Sequence, residues 1–147
     1  MTVNVLTNVV IDRPRSVVAT YASDPDNATQ WYVNIKSVAW KTDRPAVAGS
    51  LMEFTAQFLG RKLVYTYEVA QVVPDEKFVM RTADGPFPME TTYTFADAGE
   101  GRTLMTLRNR GEPSGFGRVV GPLMEKAMRR ANNKDLKRLK EILESVP

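Results

Sequence analysis

Apolar and polar residues alternate along most of this chain, and the period of the pattern changes near its two ends. At the start, Val3, Val5, Thr7, Val9 and Ile11 share one parity, the period-2 pattern of a half-buried strand. Asp12-Arg13-Pro14 ends it, and Pro14 suits the first turn of a helix, where its missing N–H costs nothing. Ser16 to Ala22 is expected to be that helix, with Val17, Val18 and Tyr21 at i, i+1 and i+4. A second short helix opens at Asp24-Pro25, with Asp24 as its N-cap, and runs to about Trp31-Tyr32.

From there to residue 110 the period stays at two. Strands are predicted over Ile35–Thr42, Ser50–Leu59, Lys62–Val73, Lys77–Ala83, Met89–Ala96 and Arg102–Arg110, separated by turn residues such as Gly60-Arg61, Pro74-Asp75, Asp84-Gly85-Pro86 and Gly99-Glu100-Gly101. One face carries Met52, Phe54, Ala56 and Phe58, then Leu63, Tyr65, Tyr67 and Val69. Phe78 and Met80, then Met89, Thr91, Tyr93 and Phe95, and finally Thr103, Met105, Leu107 and Asn109 continue it. Glu112-Pro113-Ser114-Gly115 breaks the sheet. After it Phe116, Val120, Leu123, Met124, Ala127, Ala131, Leu136, Leu139 and Leu143 recur at three- and four-residue spacings, the stripe of an amphipathic helix. That helix is expected to span about 30 residues, or roughly 45 Å, with Gly121-Pro122 kinking it or delaying its regular start.

The order is therefore strand, two short helices, six strands and one long helix. Sequential hairpins give an antiparallel sheet, and its apolar face needs a cover. The C-terminal helix is the element long enough to supply one. A curved sheet wrapped on one helix touches it along a seam, so an internal cavity is expected, closed on the other side by the short helices. Its candidate lining is Phe54, Phe58, Tyr65, Tyr67, Met80, Met89, Tyr93, Met105, Asn109, Phe116, Val120 and Met124. Trp31, with Tyr32, the turn at Asp84–Pro88 and Phe116, is placed at the entrance. The same stripe could pack as dry core. Three inward tyrosines favour a pocket, because buried hydroxyls need partners.

Composition narrows the chemistry. The 147 residues suit one domain, 43% hydrophobic and 25% charged, with no apolar run near the roughly 18 residues of a membrane helix. The N-terminus reads as a first strand rather than a signal peptide, and without cysteine the expected compartment is the cytoplasm. There is no His and no Cys, which excludes Ser-His and Cys-His nucleophiles and the usual zinc ligands. Any catalysis falls to Asp, Glu, Lys, Tyr or a borrowed cofactor, so an enzyme is the less favoured reading. The net charge of +3 gathers near the C-terminus, in Arg118, Lys126, Arg129, Arg130, Lys134, Lys137, Arg138 and Lys140. Few aromatics accompany these charges, so a solvated helix face is expected rather than a nucleic-acid surface.

The stretch Ile11-Asp12-Arg13-Pro14, Val17-Val18, Tyr21, Asp24-Pro25-Asp26-Asn27 and Trp31 resembles the opening of the START-like (SRPBCC) superfamily, in its bacterial polyketide cyclase/dehydrase-like branch. Gly49-Ser50, Pro74, Gly85-Pro86, Tyr93-Thr94-Phe95, Gly101-Arg102-Thr103 and Asp135–Lys140 with Leu143-Glu144 follow in order, covering nearly the whole chain. The resemblance implies an α+β helix-grip fold and a single ligand-binding domain over residues 1–147.

It implies no catalytic residue, because the matches are turn and core positions. The favoured function is binding of a small hydrophobic ligand, such as a lipid, an isoprenoid or a polyketide-like molecule. A cyclase or dehydratase using the cavity tyrosines is one alternative. An interaction module using the basic helix is another. Neither a cofactor, nor a metal, nor a nucleic-acid or integral-membrane partner is expected, and a monomer or weak homodimer is. Glu68 and Glu90 are expected on the outer face. Arg81 or Arg110 would turn inward only if a bulge slipped the strand parity.

Overall fold

A computed structural model describes residues 2–112 and 121–146. The first strand, β1 (Val3–Ile11), is followed by helix α1 (Arg15–Ala22), a 3-10 turn at Pro25–Asn27 and the short helix α2 (Ala28–Trp31). Six strands come next: β2 (Ile35–Trp40), β3 (Leu51–Phe58), β4 (Arg61–Val73), β5 (Lys77–Asp84), β6 (Met89–Asp97) and β7 (Thr103–Gly111). Helix α3 (Gly121–Ser145) completes the chain. Its sequence-predicted beginning, with Phe116 and Val120, lies outside the described residues.

All seven strands form one antiparallel sheet in the order β1-β7-β6-β5-β4-β3-β2. This is the α+β helix-grip arrangement expected from the sequence, one antiparallel sheet with a long C-terminal helix. The meander runs from β2 to β7, and β1 returns to pair with β7 from Val3↔Gly111 to Ile11↔Thr103. Pro14 sits one position earlier than expected, capping α1 in an extended conformation, and its carbonyl accepts from the Val17 and Val18 amides. Asp24 caps the 3-10 turn by accepting from the Asp26 amide at 3.0 Å.

The long helix runs along the edge strand β1 and covers its unpaired backbone. Glu125 accepts from the Asn4 amide and Glu144 from the Asp12 amide. Arg129 donates to the Leu6 carbonyl, and Lys140 to that of Val10. An open strand edge is a template for unwanted pairing, and these four side chains occupy it. Much of the charge on α3 is thereby structural.

The buried positions of α3 are Met124, Met128, Asn132, Asp135, Leu136, Leu139 and Leu143. The apolar stripe thus follows i+4 rows through Met128 rather than through Leu123, which is 58% exposed. Leu136, Leu139 and Leu143 pack in one cluster with Ile11, Trp31, Phe95, Met105 and Leu107. Met124 and Met128 pack in a second with Val3, Val5, Leu63, Tyr65 and Phe87. Asn132 and Asp135 lie between these two apolar segments of the helix.

Candidate functional site

Where α3 crosses the sheet between the two clusters, a cavity of about 160 Å³ remains. Alternation along the strands supplies its walls. Phe54 and Phe58 come from β3, Tyr65 and Tyr67 from β4, Phe78 and Met80 from β5, Met89, Thr91 and Tyr93 from β6, and Asn109 from β7. Tyr32, just past α2, and Pro25 close one side, and Phe87 in the β5–β6 loop closes another. Met124, Met128, Asn132 and Asp135 form the helical wall.

Of the residues placed in the cavity by sequence, Phe54, Phe58, Tyr65, Tyr67, Met80, Met89, Tyr93, Asn109 and Met124 line it. Trp31 does not. It is fully buried behind the wall, with its ring 4.1 Å from that of Tyr32 and 5.6 Å from that of Tyr93. The chain turns extended after Trp31, and that puts Tyr32 at the surface of the cavity instead. Met105 shares the inward parity of β7 but sits in the packed cluster, four residues from Asn109. Parity assigns a face, not a depth along the strand. Phe116 and Val120 lie outside the described residues.

Arg81 and Arg110 are on the outer face, where both approach Glu90 at 3.7 and 2.6 Å. Sequence reasoning did not single out Asn132 or Asp135 for the cavity, and both are buried. The signal was available in the i+4 row Met124–Met128–Asn132–Leu136, an apolar row with one polar member.

Two pairs of polar groups in the cavity bond to one another. The Tyr32 and Tyr93 hydroxyls lie 2.6 Å apart, and Thr91 Oγ1 donates to Asn109 Oδ1 at 2.7 Å. Asp135 Oδ1 accepts from the Val33 amide at 2.9 Å. Burial nevertheless pushes the Asp135 carboxyl up to about 7, with the Val33 hydrogen bond pulling the other way. Burial also pushes Tyr67 up to about 12, against a lowering by Thr91, and raises Tyr32, Tyr65 and Tyr93 further. At neutral pH these hydroxyls are uncharged, so they offer hydrogen bonds rather than charge. No Lys or Arg is among the described lining residues. Among the described residues, no three His, Cys, Asp or Glu side chains gather as a metal site, and no helix is long and apolar enough to cross a membrane.

An apolar cavity gripped between a seven-stranded antiparallel sheet and a C-terminal helix is the setting for a family match. The family described as polyketide cyclase / dehydrase and lipid transport matches residues 2–144. The chain belongs to that family. Solved structures of the same fold include a START superfamily protein from Mycobacterium smegmatis, at 18% identity and a TM-score of 0.81, covering 98% of this chain and 99% of that one. A protein from Thermus thermophilus superposes with a TM-score of 0.82 at 22% identity, covering 97% of each chain. The Zhui aromatase/cyclase from a Streptomyces species does so with a TM-score of 0.81 at 14% identity, covering 98% of this chain and 94% of its own. At these identities the likeness is one of fold. No curated protein matches the sequence. For this polyketide cyclase-like START domain, the arrangement of the cavity is therefore the main guide to what it takes.

Proposed function

We propose that this START-like domain binds a small hydrophobic molecule, of lipid, isoprenoid or polyketide-like chemistry, in the cavity between the sheet and α3. The observation that carries this reading is the void itself, about 160 Å³ walled by Phe, Met and Tyr side chains. Close-packed interiors hold few voids larger than a water molecule. An apolar cavity of about 150 Å³ is enough to take up benzene. The volume thus suits one ring with a short substituent. A longer chain would require the wall to give way, and Met80, Met89, Met124 and Met128 are the adaptable side chains in it.

The test is to purify the protein from its host, extract it with organic solvent after denaturation and analyse the extract by mass spectrometry. A stoichiometric apolar compound supports binding and names its class. An empty extract, together with failure to bind a fluorescent apolar probe, would overturn the reading.

One observation favours a second reading, a cyclase or dehydratase-like enzyme. Asp135 borders the cavity with its carboxyl held near 7, where a side chain can both give and take a proton. Turnover of a poly-β-keto thioester that falls in the Asp135→Asn variant but not in Tyr65→Phe would support it. Equal rates in all variants would count against it. The basic helix is a weaker candidate for function, since Arg129, Arg138 and Lys140 already donate to backbone carbonyls of the protein.

A further inference from the structure

We infer that Asn132 and Asp135 form a polar subsite in the wall of the cavity, and that its ligand is an uncharged small ring compound carrying a ketone or hydroxyl oxygen. This rests on the binding reading above and specifies the ligand's chemistry.

The two residues stand three apart on α3, one turn of helix, between Met128 and Leu136. Both line the cavity and are 6% and 2% exposed. Across the void, four hydrogen-bonding side chains have partners of their own, Tyr32 with Tyr93 and Thr91 with Asn109. Asn132 does not. Its Nδ2 is buried, and among the described residues it has no hydrogen-bond partner. A buried amide with no partner is destabilising, and a ligand oxygen is the partner that the site lacks. Asp135 spends Oδ1 on the Val33 amide, and among the described residues no donor reaches Oδ2.

A carboxamide presents a donor edge and an acceptor edge, so it can donate to a ketone or accept from a hydroxyl. The free Asp135 oxygen can accept from a ligand hydroxyl beside it, or donate to a ligand oxygen when the carboxyl carries its proton. The same geometry selects against charge. A carboxylate ligand would meet Asp135 and find no Lys or Arg among the described lining residues. An ammonium would find a single free carboxylate oxygen, and it would leave the Asn132 donor unpaired.

The test uses the full chain and five ligands of one shape: ethylbenzene, acetophenone, 1-phenylethanol, benzoate and 1-phenylethylamine. Affinities come from NMR titration of the wild type and of Asn132→Leu, a substitution of similar volume. The variant is expected to weaken acetophenone roughly 10-fold relative to ethylbenzene, the worth of one hydrogen bond. In the wild type, the Asn132 side-chain amide resonance should move with acetophenone and not with ethylbenzene, a readout that does not depend on any variant. Benzoate should bind more weakly than either.

Equal weakening of acetophenone and ethylbenzene in the variant would overturn the subsite while leaving cavity binding intact, and so would tightest binding by benzoate or the amine. Failure of every ligand to bind the wild type would instead overturn the binding reading, and the subsite with it.

Discussion

The hydroxyl of Tyr93, on β6, lies 2.6 Å from the hydroxyl of Tyr32, at the end of α2, and this contact ties the short helices to the sheet within the cavity wall. Each hydroxyl is the other's partner, so removing one leaves a donor or acceptor stranded. Tyr93→Phe is expected to cost about 1–2 kcal/mol in urea unfolding. The Tyr32→Phe/Tyr93→Phe double variant should cost clearly less than the two singles combined, because it leaves no orphan. Strict additivity would show that the pair is not coupled in solution.

Asp135 makes stability depend on pH in an unusual direction. Its carboxyl is raised from 3.8 to about 7, so the folded state holds a proton that the unfolded chain has already released. The groups facing it, Tyr32, Tyr93, Asn132 and the Val33 amide, carry no charge over this range. Its contribution is fully present below pH 4 and is lost as pH rises to 7, by at most about 4 kcal/mol. Asp135→Asn removes that titration. The variant should match the wild type near pH 4 and exceed it in stability at pH 8, as read by thermal unfolding. A stability difference that stays constant from pH 4 to pH 8 would refute the raised carboxyl.

Met105 and Met89 share the inward parity of their strands but differ in surroundings. Met105 is fully buried in the packed cluster, whereas Met89 borders a void and is half-buried. Met105→Ala should cost about 2–5 kcal/mol, because it opens a new cavity. Met89→Ala should cost clearly less and should admit larger apolar probes. Denaturant midpoints and probe titration read the two effects, and equal costs would contradict the placement.

Gly85, in the β5–β6 loop, has a φ of +156°, and a Cβ there would stand 2.6 Å from Tyr65 Cδ1. Gly85→Ala must therefore press the Tyr65 ring, which lines the cavity, out of its place. A loss of about 1–3 kcal/mol is expected, from this crowding and from the backbone conformation. Binding of an apolar probe should weaken at the same time. Unchanged binding with unchanged Tyr65 ring resonances would mean that the loop yields instead.

Much of the architecture was legible in the residues because it rests on local periodicity. Alternation along Met52–Phe58, Leu63–Val69 and Met89–Phe95 marks strands and their inward faces, and each proved to be a strand with that face inward. The cap at Asp24 follows from backbone chemistry of a few residues, whereas the β3–β4 turn falls at Leu59-Gly60, one residue before the expected Gly60-Arg61. The candidate site was legible only as a face. Tyr65, Tyr67, Met80 and Tyr93 line the void because their parity and their height along the sheet both agree.

Depth is a tertiary quantity, and here periodicity stopped being informative. Met105 and Asn109 have the same parity on β7, yet only the helix crossing makes one of them core and the other wall. Of the two residues expected at the entrance, Tyr32 borders the void and Trp31 does not, because the chain turns after α2. Asp135 carries a charge in any reading of its own segment, and only the packing of α3 against β1 and α2 shows that the carboxyl is buried and its proton held. The sequence by itself determined the elements, their order and the inward face, since these depend on neighbours two to four residues apart. The tertiary structure decided where a void is left and which polar groups border it, since a cavity belongs to elements that meet from distant parts of the chain.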